Sequence, residues 1–499
     1  MRSRKKLDVI QLSGLRLIKL FKFRRESIVM VGGDELPDST SQAKIPTNPL
    51  ELVIGQDEAI SIVKVAATQR RNLLLVGSPG TGKSMVAQAM ASLLPKPSRE
   101  VSVLDNVEHP EKPVLEVRSR IEVDAERRMP KGIHIKPADV PVFVAERLGL
   151  RCRRCGTMSK PSIPACTACG AEKYKAHPTP FDDIVFGGAV REDKVYATRL
   201  RDGKEDRVLY ECNAFGEVVM YDEKAIKGRE TRNIARNVII PLTRSNFVQA
   251  TGATETELLG DVRHDPYGGH ADVGVKPFRR VIPGAIHEAH EGVLFIDEIS
   301  NLGKLQKHIL TAMQEKRFPI TGRNPTSSGA SVRVDNVPCD FILVGALNFG
   351  DMNAILPPLR SRILGNGYEV LMSNIMPDNP KNVKKIVQFI AQEIVKDGRI
   401  PHADSGAMQR ILDESRRRAK YFDGKEGLTL RLRDLAGIIK LAGDSATMDS
   451  SDLIEARHVD IAIEKAKPVE QQMQKKYGSM WRTSASDYGV KAPAEDSVI

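Results

Sequence analysis

An apolar run, Leu73-Leu74-Leu75-Val76, passes directly into Gly77-Ser78-Pro79-Gly80-Thr81-Gly82-Lys83-Ser84 and then into a helical stretch over residues 85–94. This order of strand, G-x-x-x-x-G-K-[ST] loop and helix restricts the fold more than any other segment. A glycine-rich turn in that setting lets backbone N–H groups close around phosphate oxygens at a helix N-terminus. Lys83 is then placed to reach the β- and γ-phosphates of a nucleotide, and Ser84 to hold Mg2+ through its hydroxyl. A continuous apolar strand also asks for cover on both faces, so a parallel sheet flanked by helices is expected.

The chain has 499 residues, enough for two to four domains and a large core. Charged residues make up 28% and hydrophobic residues 41%, a globular balance. No run approaches the ~18 apolar residues of a membrane span, so none is expected. Six cysteines are too few for a disulfide scaffold of this size, and four of them fall in a metal-type pattern. A reducing, cytoplasmic setting is expected. The net charge is +11, but residues 1–25 hold nine Lys/Arg against one acid, and the remaining residues carry only +3. That arm reads either as a basic amphipathic helix on a membrane or as an extension ahead of Met30. The second reading is preferred, because the polar residues that follow look like the ordinary start of a domain. Arg16, Lys19 and Lys22 break any signal-peptide core.

Further along, residues 33–50 read as linker and residues 56–70 as a helix with its apolar stripe at Ala59, Ile60, Ile62, Val63, Ala66 and Ala67. Two more core strands are expected over 292–296 and 341–346. The first ends in Asp297-Glu298 and the second near Asn348. Ligands bind at the carboxyl edge of such sheets. There Asp297 can hold Mg2+, Glu298 can deprotonate the attacking water, and Asn348 can position it. Leu359-Arg360-Ser361-Arg362 offers an arginine to a neighbouring subunit's nucleotide. Four helices are expected over 383–396, 405–421, 431–446 and 458–467. One of the arginines near Arg431 is placed to reach back to the γ-phosphate.

These elements, in this order, resemble an AAA+ ATPase, and more closely the ATPase module of archaeal, membrane-type (B-type) Lon protease. The resemblance rests on Val53-Ile54-Gly55-Gln56-Asp57, on residues 77–84 and on 250–269. It continues through Pro283-Gly284-Ala285-Ile286-His287 to Ile299, Met313-Gln314-Glu315-Lys316, Pro319-Ile320-Thr321-Gly322, and residues 359–362 and 428–434. It implies an α/β fold: a P-loop three-layer αβα domain plus a small helical-bundle domain. The expected division is a basic extension and linker over 1–47, an ATPase domain over 48–374 interrupted by an insertion over 118–237, a helical lid over 375–470, and a tail over 471–499. The resemblance further implies that Gly77, Ser78, Pro79, Gly80, Thr81, Gly82, Lys83, Ser84 and Asp297 bind ATP and Mg2+, with Val53 and Ile54 against the adenine. Glu298, Asn348, Arg362 and Arg431 become the catalytic base, first sensor, arginine finger and second sensor. Tyr267 is a candidate for gripping substrate in a central pore.

Two departures stand out. The family's Ser–Lys peptidase domain has no room after residue 467, so no peptidase activity is expected from this chain alone. Gly443-Asp444-Ser445-Ala446 looks superficially like a nucleophile's setting but falls in an expected helix. In place of membrane-spanning segments, the insertion carries Cys152-Arg153-Arg154-Cys155 and Cys166-Thr167-Ala168-Cys169, ten residues apart. Two C-x-x-C pairs, each followed by a glycine that lets the knuckle turn, suit one tetrahedral Zn2+. Strands are expected over 194–198, 208–212 and 217–221, and Cys212 and Cys339 as packed single thiols. The leading expectation is an ATP-driven, hexameric, homo-oligomeric motor acting on polypeptide. A nucleic-acid remodeller using the zinc knuckle, and an ATPase subunit serving a separate peptidase, stay open beside it.

Overall fold

The computed structural model describes residues 30–31, 34–174, 191–201, 204–267, 274–322, 332–467 and 472. The basic arm and most of the expected tail lie outside these residues. Among the described residues no helix is long and apolar enough to cross a membrane.

The central sheet has five strands: β1 (Asn72–Val76), β2 (Phe247–Gln249), β3 (Val293–Ile296), β4 (Ile342–Leu347) and β5 (Gly367–Leu371). Their spatial order is β2-β3-β4-β1-β5 and every pairing is parallel. Leu74, Val76, Leu294, Ile296, Leu343 and Leu347 join one core cluster. Leu73 and Leu75, which point to the opposite face because strand side chains alternate, are also wholly buried. Both faces are therefore covered, which is why the three central strands read as unbroken apolar runs. The edge strands β2 and β5 are half exposed and carry no such run.

Helices α1 (Asp57–Thr68), α2 (Lys83–Ser92), α3 (Gln306–Glu315) and α4 (Pro357–Gly365) follow in chain order. Ile309 and Ala312 of α3 and Leu359 and Ile363 of α4 complete the core cluster that holds Leu74. Between α2 and β2 the chain builds a three-stranded antiparallel sheet, in which Arg99–Leu104 lies between Val114–Ser119 and Arg236–Ile240. The insertion leaves after Ser119 and returns at Arg236. It contains a second antiparallel sheet of four strands, in the order Ile133–Ile135, Val218–Tyr221, Lys204–Cys212, Lys194–Arg201. Its core is its own, with Val144, Leu148, Leu150, Val195, Val208 and Val218 packed together. Cys212 and Cys339 are both buried.

The chain divides into two compact units. One holds Glu58–Gly77 and Lys83–Leu371, and the other holds Ser78–Gly82 together with the described residues up to Asp57 and from Met372 onward. The second unit is built on α5 (Pro380–Asp397), α6 (Ser405–Asp423), α7 (Leu432–Met448) and α8 (Ala456–Lys465). Asn379 and Asp404 cap α5 and α6 by accepting backbone N–H bonds, and Gly398 and Gly424 end them in the left-handed conformation. Ile386, Ile390, Met408, Ile411, Leu435, Ile438, Val459 and Ala462 form the core. One departure from expectation concerns residues 33–50. Leu36 packs into this helical core. Thr40, 1% exposed, accepts the Ala403 N–H at 3.0 Å and lies 3.0 Å from His402 Nδ1. Together with Ala43 and a backbone bridge from Ser39 to Asp404, these contacts fix a stretch whose composition reads as linker.

Gly443 stands in α7 where a Cβ would come within 2.5 Å of the Ile400 Cβ. In an open helix Gly→Ala gains about 1 kcal/mol; here overpacking reverses the sign. Gly443→Ala is expected to destabilise the helical unit by about 1–3 kcal/mol, read as a lowered melting temperature. A raised one would refute the close approach.

Candidate nucleotide-binding site and cysteine cluster

The phosphate loop starts where β1 and β4 are in register, with Val76 opposite Leu347, and the Gly77 N–H donates to Leu347 O at 3.1 Å. Asn348 is therefore the first side chain beyond β4 at this edge. Lys83, at the start of α2, is 8% exposed, and its Nζ donates to Gly77 O at 2.8 Å and to Asn348 Oδ1 at 3.0 Å. A carbonyl and an amide are weak partners for an ammonium compared with a phosphate oxygen. These two bonds help to hold the charge in place beside the loop.

Gly80 and Gly82 have φ of 78° and 88°, a region that only glycine enters at little cost. Gly80 is restricted twice, since a Cβ there would lie 2.8 Å from the Arg433 Cβ. Within the same unit the Leu432 N–H donates to Gly80 O at 3.1 Å, and Thr81 Oγ1 donates to Ser78 O at 2.9 Å. Gln56, 2% exposed, donates from Nε2 to Thr81 O at 3.2 Å and to Ser373 O at 2.8 Å, and accepts from Ser373 N at 3.0 Å. Val53 and Ile54 are buried, and Ile54 belongs to the helical core.

Asp297 and Glu298 directly follow β3. Glu298 has φ 51° and ψ 49°, a left-handed conformation that costs a non-glycine residue roughly 1–2 kcal/mol. Such strain concentrates at functional sites. Its Oε2 accepts from Asn301 Nδ2 at 2.8 Å, and its N–H donates to Asp297 Oδ1 at 3.1 Å. The Ser84 hydroxyl and the Asp297 carboxylate are hard oxygen donors of the kind Mg2+ takes.

The arginines sort by their partners. Arg360 is spent on Glu369, at 2.6 Å. Arg362 is exposed and pairs with no acid among the described residues. Arg431 is bonded through Nη2 to Asp423 Oδ1 at 3.1 Å and lies over the Phe422 ring at 5.3 Å. Arg433 approaches the phosphate loop through its Cβ, next to Gly80, and Arg431 directly precedes Leu432, whose N–H bonds Gly80 O. Arg431 sits at the non-helical cap of α7 and pairs with Asp423, and Arg433 is in the first helical turn. Tyr267 is 62% exposed, and its N–H donates to Asp265 Oδ1 at 3.0 Å. Gln56 and Arg433 were not singled out from the sequence, although both lie inside stretches that carry the resemblance.

In the insertion, the Sγ atoms of Cys152, Cys155, Cys166 and Cys169 all lie within 4.8 Å of one another. The Cys152–Cys169 pair is at 3.7 Å and the Cys155–Cys166 pair at 3.5 Å. Tetrahedral zinc with its bonds of about 2.3 Å needs sulfurs roughly 3.8 Å apart. The two knuckles repeat one geometry. Gly156 N–H donates to Cys152 O at 2.9 Å and Gly170 N–H to Cys166 O at 3.0 Å, with φ of 73° and 67° at the glycines. The Thr157 hydroxyl and N–H draw the Cys155 thiol down to about 6, toward the thiolate that a metal binds. Four sulfurs at these distances fit the ion.

The parallel sheet, the phosphate loop and the acidic pair after β3 define a P-loop ATPase of the AAA+ class. Residues 49–113 match the family described as magnesium chelatase, subunit ChlI, and residues 276–335 the sigma-54 interaction domain. The chain is 50% identical over 466 residues to a lon protease homolog of Methanothermobacter thermautotrophicus, covering 90% of this chain and 93% of that protein. It is 39% identical over 446 residues to the archaeal Lon protease of Archaeoglobus fulgidus, covering 88% of this chain and 64% of that protein. A solved RuvB mutant from Thermotoga maritima aligns at 14% identity over 91% of this chain and 89% of that one, with a TM-score of 0.37. The chain belongs to the family of archaeal Lon homologues.

Gly80→Ala is expected to weaken ATP and ADP binding about tenfold or more, since the loop must leave its left-handed turn and its approach to Arg433. Titration with a fluorescent nucleotide measures this; unchanged affinity would show that the loop geometry is not used.

Proposed function

We propose that this chain is an ATP-hydrolysing motor that works as a ring of identical subunits, six being the expected number, and remodels polypeptides. The observation that carries the reading is the Lys83 ammonium, buried in the phosphate loop and bonded to Asn348, in a chain whose neighbouring core strand ends in Asp297-Glu298. Mg2+ held by Ser84 and Asp297 would supply neutralisation of phosphate charge. Lys83 transfers its hydrogen bonds from Gly77 O and Asn348 to the β- and γ-phosphates. Asn348, so released, orients water, and the Glu298 carboxylate takes the proton that water loses on attack. Arg433, in place of Arg431, is the arginine we assign to the γ-phosphate within the subunit. Arg362, exposed and unpaired, is assigned to the neighbouring subunit's nucleotide.

Tyr267 is assigned to polypeptide contact, its exposure supporting that role. The cysteine cluster is assigned one Zn2+. We assign no peptide-bond cleavage to the described residues, because Ser445 is buried within α7.

Glu298→Gln is expected to keep ATP bound while lowering turnover by about 10²–10⁴, and Arg362→Ala by about 10³–10⁵. Mixing the two inactive variants should restore part of the turnover, because some sites then combine an intact Glu298 with a neighbour's intact Arg362. No recovery on mixing would overturn the assignment in trans. In the wild type, stimulation by unfolded protein rather than by DNA or RNA is expected. The reverse result would favour a nucleic-acid remodeller.

A further inference from the structure

Lys173 follows the second knuckle and has no part in nucleotide chemistry. It is 2% exposed, which is unusual for a lysine. Each proton of its ammonium has an acceptor: Gly149 O at 2.8 Å, Ser159 Oγ at 2.9 Å and Lys160 O at 2.8 Å. These acceptors come from the turn before the first knuckle and from the segment joining the two knuckles. Its own N–H donates to Pro164 O at 2.7 Å, just before the second knuckle. One side chain thus gathers every non-knuckle segment around the four cysteines.

Hydrogen bonds to neutral oxygens offset only part of the desolvation of an ammonium, and a nearby negative charge adds to them. No carboxylate among the described residues pairs with Lys173. Burial lowers the pKa of the Lys173 ammonium on balance and the Arg191 guanidinium adds to this, while the sulfurs of Cys166 and Cys152 act in the opposite sense. A zinc ion with four thiolates carries a net charge of about −2, and a buried cation beside it reduces the tendency of the sulfurs to be protonated or lost.

We propose that Lys173 is a positioning residue of the cysteine site, whose buried ammonium staples the two knuckles together and balances the charge of the zinc–tetrathiolate group. The inference rests on the zinc reading of the cluster. Outer partners of metal ligands are worth about 10–100-fold in metal affinity, and Lys173 belongs to that class.

The test uses the full chain. Zinc per chain is measured first, and then the rate at which zinc passes to a chromogenic chelator. The comparison is between wild type, Lys173→Met, Lys173→Gln and Ser159→Ala. The wild type is expected to hold about one zinc. Both Lys173 variants should surrender it about 10–100-fold faster, while Ser159→Ala, which removes one bond and keeps the charge, should stay close to wild type. Basal ATP hydrolysis should be unchanged throughout, which reports on the fold. If Lys173→Met does not fold, Lys173→Gln, which retains two donors, carries the comparison. Release at the wild-type rate from the Lys173 variants overturns the proposal while leaving the zinc site intact. Equal loss in Ser159→Ala overturns the charge-balancing part. A wild-type chain without zinc overturns the zinc reading itself.

Discussion

A single ammonium, that of Lys83, is nearly removed from water at the end of β1, and much of the larger unit is arranged to make that tolerable. Burying a cation without partners costs several kcal/mol. Here the partners include a carbonyl of its own loop and the side chain that ends the adjacent strand. Asn348 is available only because β4 pairs with β1 in the register that sets Leu347 against Val76. A one-residue slip would turn every side chain of the strand to the other face, and with it the amide that meets Lys83. The sheet's register and the site's electrostatics are therefore one constraint, enforced by the fully buried leucines on both faces of β1.

The insertion solves the same kind of problem with different parts. It has its own hydrophobic core and its own buried lysine. Lys173 is bonded almost wholly to backbone and hydroxyl oxygens, as Lys83 is to a carbonyl and an amide. What separates the two is the partner we assign to each: a transient phosphate for Lys83, the sulfurs of a zinc site for Lys173. The first charge is held by bonds that a ligand replaces, the second by bonds that fix the fold.

Legibility from sequence followed burial. The three central strands and the four lid helices announce themselves because each is covered on both sides or carries a clear apolar stripe. The edge strands β2 and β5 are half exposed and short, so they leave no unbroken run to read. Residues 33–50 looked like linker because the few anchors that attach the stretch, Leu36, Thr40 and Ala43 among them, make no periodic apolar pattern. The two C-x-x-C pairs were legible by spacing, whereas Lys173 was not, since nothing in a sequence says that a surface-type residue will be buried. The ion pair of Arg431 with Asp423, eight positions earlier, is likewise beyond the reach of any local motif.

The loop's own bonding fixes its turn in the absence of any phosphate. Gly80 O is taken by Leu432 N, Thr81 O by the Gln56 amide, and Ser78 O by the Thr81 hydroxyl. All three are carbonyl bonds. With its carbonyls occupied, the loop keeps its turn and leaves the work of anion binding to N–H groups, which the left-handed Gly80 and Gly82 help to orient. A loop shaped in advance avoids ordering entropy at the moment of binding. Gln56 contributes most to this economy. Its amide is buried and fully used, so removing it would leave unmet groups both at Thr81 and at Ser373, and unmet buried groups cost more than the bond itself contributes.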